Sequence, residues 1–359
     1  MQQHVDLSPI VEPLLAWYDQ NKRPLPWRDE PSPYHVWISE IMLQQTRIEA
    51  VIPYYERFLK ACPTVASLAS IDDEKLMKLW EGLGYYSRAR NLKKAAIAMM
   101  QEYDGKLPAD YRALLSLPGI GPYTAGAIAS IAFGLPEPAV DGNVLRVITR
   151  LTADESDVTK DATKQRITAA LRSIYPQNAK DAGAMTQALM ELGERVCLPN
   201  GAPRCEDCPL GASCPARAHN LTDRIPHRTP KKARNIQDRT VFLVMNNGKV
   251  ALRKRPDKGL LAGLWEFVST EGRLALEAVP DWLKEYGIEA EEIRPIPQAT
   301  HIFTHVEWHM TGYLVLCRKA DLQKNLCWVT RQQLEREFAL PTAYSAQLRA
   351  LEQFWDGET

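Results

Sequence analysis

The sequence predicts a multidomain protein: an all-α region closed by a four-cysteine metal loop, followed by a smaller α+β domain. Three observations carry this. Residues 8 to about 220 read as one helical segment after another, Cys197, Cys205, Cys208 and Cys214 fall within eighteen residues, and near 220 the texture turns strand-like. At 359 residues the chain is comfortable for two domains, and 45% hydrophobic with 25% charged residues is the balance of a soluble globular protein. No apolar stretch is long enough to span a bilayer. Lys+Arg and Asp+Glu are equal at 44 each, so any nucleic-acid partner must be met by locally focused basic groups.

The helical region opens with "SPIVEPLLAWYDQN" and continues with "SPYHVWISEIMLQQTRIEAVIPYYERFLKAC", which Pro53 is expected to break in two. Further segments include "DDEKLMKLWEGLG", where Leu76, Leu79, Trp80 and Leu83 keep helical spacing, then "YSRARNLKKAAIAMMQEYDG", "TAGAIASIAFG", "NVLRVITRLTA" and "AKDAGAMTQALMELGERVC". Asp, Ser or Thr precedes several of them as an N-cap.

The cysteines that follow have the spacing C-x7-C-x2-C-x5-C in a loop rich in Pro and Gly. Four thiolates so close in sequence can wrap one soft metal centre. Zinc ribbons usually show two C-x2-C knuckles, and only one is present, which favours iron–sulfur over zinc. Disulfides fit poorly, because 7 cysteines is an odd number and no secretory signal is evident. Cys62, Cys317 and Cys327 are expected to be buried thiols.

Beyond the loop, "DRIPHRTPKKARNIQDR" reads as a linker. "TVFLVMNNGKVALRKR" is two strands around an Asn247–Gly248 turn. "AVPDWLKEYG" is a short helix, and "HIFTHVEWHMTGYLVLCRK" is a further extended stretch. The expected division is 1–223, linker 224–237, and 238–359.

Several residues could carry chemistry. In "LPGIGPYTAGAI", Leu117, Gly119 and Gly121 make a helix–hairpin–helix pattern whose backbone N–H groups suit a DNA phosphate, unless the segment is a plain turn between helices. Asp141 is either an ordinary N-cap or a carboxylate at a cleft rim, kept ionised by the helix terminus and able to stabilise a sugar cation. Glu40 lies among Trp37, Ile38, Ile41, Met42 and Leu43. It is either enclosed, with its pKa raised into the range of a general acid, or turned to solvent or an Arg. Gln44 and Gln45 can bond base edges or each other. "GLGYYSRARN" offers tyrosines and arginines for stacking and phosphate contacts, or for core packing.

Taken together, "LPWR" at 25–28, "VWISEIMLQQT" at 36–46, "EGLGYYSRARN" at 81–91, "LPGIGPYTAGAI" at 117–128, "VDGNVLRV" at 140–147, the cysteine loop, "GLWEF" at 263–267 and "FTH" at 303–305 closely resemble the adenine DNA glycosylase (MutY) family of the endonuclease III-like helix–hairpin–helix superfamily. The resemblance implies removal of adenine mispaired with 8-oxoguanine in double-stranded DNA and a [4Fe–4S] cluster on Cys197, Cys205, Cys208 and Cys214. By the same resemblance Glu40 protonates adenine N7, Asp141 stabilises the sugar cation or bonds to it transiently, and Tyr123 and Asn143 support them. Leu25, Trp27 and Arg28 form part of the adenine pocket. Gln45 and Tyr85 wedge beside the lesion and fill the stack. Phe303, Thr304 and His305 read the lesion, and Arg195 and Arg204 help to grip phosphates. It further implies a bacterial cytoplasmic monomer at the nucleoid, with a sliding clamp as a family-level partner that no segment here specifies.

Tyr123 stands where bifunctional relatives carry the Schiff-base lysine, so a monofunctional enzyme is expected. Rival readings are an endonuclease III-like glycosylase–lyase and a non-catalytic 8-oxoguanine-binding protein. Two departures touch the site: the first cysteine gap is x7 rather than the usual x6, with the extra residue expected near Gly201, and Thr304 replaces the usual Ser. The C-terminal part resembles a Nudix (MutT-like) domain, but "PDWLKEYG" keeps only Glu285 beside Gly287, with Trp282 and Lys284 intruding. Such a box cannot hold the Mg²⁺ that nucleotide hydrolysis needs.

Overall fold

A computed structural model describes residues 6–230, 233–320 and 326–357. The chain separates into two compact units, Met1–Ser70 with Arg90–Pro230, and Ile71–Ala89 with Lys231–Thr359. Among the described residues, no helix is long and apolar enough to cross a membrane.

The first unit is helical. Four of its helices start where a short polar side chain accepts an orphan backbone N–H group: Ser32 from His35, Asp110 from Ala113, Asp141 from Val144 and Asn178 from Asp181. Helix Pro33–Leu43 is apolar on nearly every side and is accordingly buried from Val36 to Met42. The break expected at Pro53 lies earlier. Helix Ile48–Ala61 runs through Pro53, and the chain instead turns at Gln44–Arg47, where Gln45 takes φ +58°. Helices Val11–Asn21, Gly142–Leu151, Asp161–Ile174 and Ala179–Arg195 share one core of Leu14, Val144, Ile148, Leu171, Met185 and Leu192. Both ends of the unit's chain therefore build the same lobe, and Cys197, Cys208 and Cys214 pack against it.

The segment after the cysteines is fastened down. Arg150 donates from Nε to the carbonyl of Ile225 at 2.8 Å and from Nη2 to that of Thr222 at 2.7 Å, and the Val158 N–H reaches the His227 carbonyl at 3.1 Å.

The second unit holds a six-stranded sheet of β1 (Asn235–Asn246), β2 (Lys249–Lys254), β3 (Trp265–Glu271), β4 (Ile288–Ile302), β5 (Val306–Ala320) and β6 (Leu326–Val329), in the order β4-β5-β1-β3-β2-β6. β1 and β5 run parallel and the other pairs antiparallel. Asn247 and Gly248, both at positive φ, close the β1–β2 hairpin as the sequence suggests. β4 contains Pro295 and Pro297, which cannot donate to a ladder, and it sits at the sheet edge. Alternate residues of β1 enter two cores. Val241, Leu243 and Met245 face one with Leu351 of helix Ser345–Asp356, and Phe242 and Val244 face the other with Val279 and Leu283 of helix Val279–Glu285. In that second core Trp282 stacks on Phe242 and Tyr286, each at 4.5 Å. The C-terminal helices Arg331–Arg336 and Ser345–Asp356 were not singled out by the sequence reading.

Candidate active site and cysteine loop

A cavity of about 1170 Å³ in the helical unit is lined by Leu25, Trp27, Arg28, Glu40, Gln45, Tyr123, Asp141 and Asn143 among others. Eight residues proposed from four separate sequence segments thus meet in one cleft.

Glu40 lies on the buried helix and is 5% exposed. Burial pushes its carboxyl up to about 7. The Tyr123 hydrogen bond and Arg28 oppose the shift, and the Asp141 charge adds to it. The Tyr123 hydroxyl donates to Glu40 Oε2 at 2.6 Å. Of the two alternatives left open for Glu40, the enclosed one is observed.

Asp141 caps helix Gly142–Leu151. Its Oδ1 accepts the Val144 N–H at 2.8 Å, and its Oδ2 accepts Asn143 Nδ2 at 2.8 Å. The helix terminus was expected to hold this carboxyl low, but its pKa is raised, because burial outweighs the hydrogen bonds from Val144 and Asn143 and the charge of Arg146. Asp141 is both cap and cleft residue.

The contacts continue from the cap toward the cysteine loop. Arg146 Nη2 donates to Asn143 Oδ1 at 2.8 Å and to the Gly193 carbonyl at 2.6 Å, and its Nε donates to the Cys197 carbonyl at 2.6 Å. A Cβ on Gly193 would stand 2.5 Å from that of Asn143, so glycine lets the helix approach this closely. One turn on, Arg150 Nη1 reaches Cys197 Sγ at 3.3 Å. Arg146 and Arg150 are 3% and 4% exposed, unusual burial for arginine. The sequence reading missed both, and the only signal was two charges spaced i, i+4 inside an apolar run.

The pocket wall depends on another residue the sequence reading missed. Glu191, 1% exposed, accepts Arg28 Nη1 at 2.8 Å and Arg23 Nε at 2.9 Å, while Arg28 Nε donates to Gln187 at 2.8 Å. This holds Arg28 at the cavity. Arg195, expected to grip phosphate, donates to the Asn21 carbonyl at 2.6 Å and lies 3.8 Å from Glu191.

The remaining residues lie elsewhere. At the hairpin, Gly119 has φ +78°, and a Cβ there would fall 2.6 Å from that of Asn91, so only glycine fits. Leu117 is buried, and Gly119 and Gly121 are exposed. In the second unit, Phe303, Thr304 and His305 form the turn between β4 and β5, where the sequence suggested one continuous extended stretch. Phe303 packs edge-on against Trp308 at 4.9 Å, and Thr304 Oγ1 lies 3.2 Å from the Tyr85 hydroxyl.

The four loop cysteines are unbridged, as are Cys62, Cys317 and Cys327, the last only half-buried. Among the described residues no three Cys, His, Asp or Glu converge to hold a single metal ion. The loop thiols are nevertheless close enough to interact. Burial, with the other three thiols adding to it and a backbone hydrogen bond at Leu210 opposing it, pushes Cys208 up to about 11. Cys205 is raised by burial and then by Cys214 and Cys197. Arg150 and Arg217 lower the pKa of Cys205. A gathered set of soft thiols flanked by cations fits an anionic iron–sulfur cluster, whose ligands stand farther apart than those of one ion. Gly201, at φ +73° with open space around it, falls in the longer first gap.

Comparison with known proteins matches residues 38–173 to the HhH-GPD superfamily of base excision DNA repair proteins and residues 240–350 to the NUDIX domain. The adenine DNA glycosylase of Mus musculus is 34% identical over 84% of this chain and 69% of its own. That of Buchnera aphidicola subsp. Baizongia pistaciae is 30% identical over 88% of each. Among solved structures, a thermostable thymine-DNA glycosylase is 26% identical, with a TM-score of 0.53, over 59% of this chain and 96% of that one. A trapped endonuclease III–DNA covalent intermediate is 25% identical, with a TM-score of 0.51, over 62% of this chain and all (100%) of that one. With relatives of this similarity along most of its length, the chain belongs to the adenine DNA glycosylase family of base excision repair enzymes.

Proposed function

We propose that this protein is a monofunctional glycosylase that hydrolyses the N-glycosidic bond of adenine opposite 8-oxoguanine or guanine in duplex DNA. The observation that carries the reading is Glu40: a buried carboxyl, raised to about 7, in a cavity it shares with Asp141. At neutral pH such a group holds its proton in about half the molecules, the condition a general acid needs.

Adenine must leave the base stack to reach this cavity. Glu40 then protonates N7, the purine leaves with the electrons of the glycosidic bond, and the sugar becomes cationic. Asp141, fixed by Val144 and Asn143, holds that cation until water adds to it and gives up a proton, which restores the acid form of Glu40. Tyr123 orients the Glu40 carboxyl. A phenol cannot form the imine that a lyase requires, so the strand stays intact at the abasic site. Arg28, held by Glu191, with Trp27 and Leu25, walls the base, and the hairpin at Leu117–Gly121 takes a phosphate. Thr304 and its neighbours, with Tyr85, read the opposite base. Gln45, in the lining of the helical unit's own cavity, serves as a wedge in the base stack.

Cys197, Cys205, Cys208 and Cys214 would hold a [4Fe–4S] cluster, which when bound would tie the loop to the helical lobe. The hydrogen bonds from Arg146 to the Cys197 carbonyl and to Asn143, and from Asn143 to Asp141, then keep the Asp141 cap in place.

A labelled duplex with A opposite 8-oxoguanine tests the reading. Adenine release with scission only after hot alkali is expected. Scission without alkali would establish a lyase, and binding without release a lesion sensor.

A further inference from the structure

Helix Asp73–Trp80 and the turn after it cluster with the C-terminal sheet unit, not with the helices that flank them in sequence. Leu76, Met77 and Trp80 are buried on one side of this helix. The other side carries Glu74, Lys78 and Glu81 at i, i+4 and i+7, one stripe of a helix. Each is committed to the C-terminal part of the chain. Glu74 accepts Trp265 Nε1 at 2.8 Å and Lys254 Nζ at 2.5 Å. The Lys78 ammonium donates to the carbonyls of Leu334 at 3.0 Å and Phe338 at 3.1 Å, at the negative end of helix Arg331–Arg336. Glu81 accepts the Leu340 N–H at 2.7 Å and pairs with Lys78 at 2.6 Å.

The stripe leads directly into the turn that presents Tyr85. Trp80 Nε1 donates to the Gly84 carbonyl at 3.1 Å, and Arg88 Nη2 donates to the carbonyls of Leu83 at 3.0 Å and Gly84 at 3.1 Å. Tyr85 itself is 48% exposed, with φ +47°, and its hydroxyl meets Thr304. A strained, exposed aromatic keeps one position only when its surroundings over-determine it.

We infer that Glu74, Lys78 and Glu81 are positioning residues that fasten the Tyr85 turn to the C-terminal sheet unit, so that Tyr85 and Thr304 face the lesion as one rigid reading surface. None of the three needs to touch DNA. The inference rests on the functional reading of Tyr85 and Thr304 given above. Holding two contacting groups within a fraction of an ångström is what makes recognition selective, and loosening a support removes selectivity before it removes binding.

The test uses the full-length, cluster-containing protein in single-turnover excision of adenine opposite 8-oxoguanine and opposite guanine. Lys78→Met and, separately, Glu74→Gln should lower the rate opposite 8-oxoguanine about tenfold and leave the rate opposite guanine within about twofold, with Lys78→Arg restoring most of the preference. Equilibrium binding to duplexes that carry 8-oxoguanine or guanine gives the same comparison without excision. Equal preference in wild type and both variants, or proportional loss of both rates, overturns the brace. A wild-type protein that neither releases adenine nor prefers 8-oxoguanine overturns the functional reading instead.

Discussion

Glu40 in the helical unit and Glu266 in the sheet unit are both almost completely buried, at 5% and 1% exposure, yet their acidities move in opposite directions. Burial pushes both up. Around Glu40 the opposition is one tyrosine hydrogen bond and Arg28, and the carboxyl ends at about 7. Around Glu266, Arg253 at 2.7 Å, Arg255 in close contact and the Tyr344 hydroxyl at 2.8 Å outweigh burial, and the carboxyl ends below its ordinary value. Burial alone does not make a proton donor. The helical unit leaves its glutamate short of compensating charge, whereas the sheet unit surrounds its own with it. The first arrangement suits chemistry and the second suits structure.

The largest effect expected from this contrast is on turnover. Glu40→Gln removes the proton donor and should lower adenine excision by about 10²–10⁴-fold in single-turnover assays. It should also stabilise the fold. Below the ordinary glutamate pKa of 4.5 both folded and unfolded states hold the proton, and Glu40 carries no penalty. As pH rises from 4.5 to about 7 the unfolded state loses its proton while the buried group keeps it, so a penalty grows and levels off above about 7 at about 3 kcal/mol. Denaturant melts should therefore show Glu40→Gln gaining on wild type at pH 8 and not at pH 4. A constant difference across that range would mean Glu40 is not buried as described.

Glu266→Gln should do the reverse. It strands Arg253 and Arg255, and breaking such a buried pair costs about 3–5 kcal/mol. The loss should be full near pH 7 and shrink as acid protonates the wild-type carboxyl, because a depressed pKa contributes stability only above it. Chemical denaturation of the two proteins at pH 7 and pH 3 makes the measurement. Excision of adenine opposite guanine should survive wherever the variant is folded.

The smallest effect concerns Tyr123. Its hydroxyl donates to the Glu40 carboxylate and so lowers that pKa. Tyr123→Phe should move the basic limb of the pH–rate profile, expected near 7, to higher pH by a fraction of a unit to about one unit. A shift to lower pH would show that the phenol stabilises the protonated acid instead.

Local signals described much of this molecule. The Asn247–Gly248 turn, the caps at Ser32 and Asp141, and the apolar run of Pro33–Leu43 depend on neighbours within about four residues, and periodicity and turn chemistry report such neighbours. Where the local rule was weak it failed. Pro53 is carried within a helix, and the residues 303–305 turn back without any glycine to announce it.

The amino-acid order alone settled the helix-then-sheet organisation and the gathering of four cysteines, and it brought forward the acids at 40 and 141 as candidates. It could not settle which acid keeps its proton, which arginines go under the surface, or that Ile71–Ala89 would associate with a sheet that begins at Asn235. Those outcomes depend on desolvation and on charges that meet through space. Tyr123 and Glu40 are 83 positions apart, Arg28 and Glu191 are 163 apart, and no pattern confined to a few neighbouring residues records such encounters.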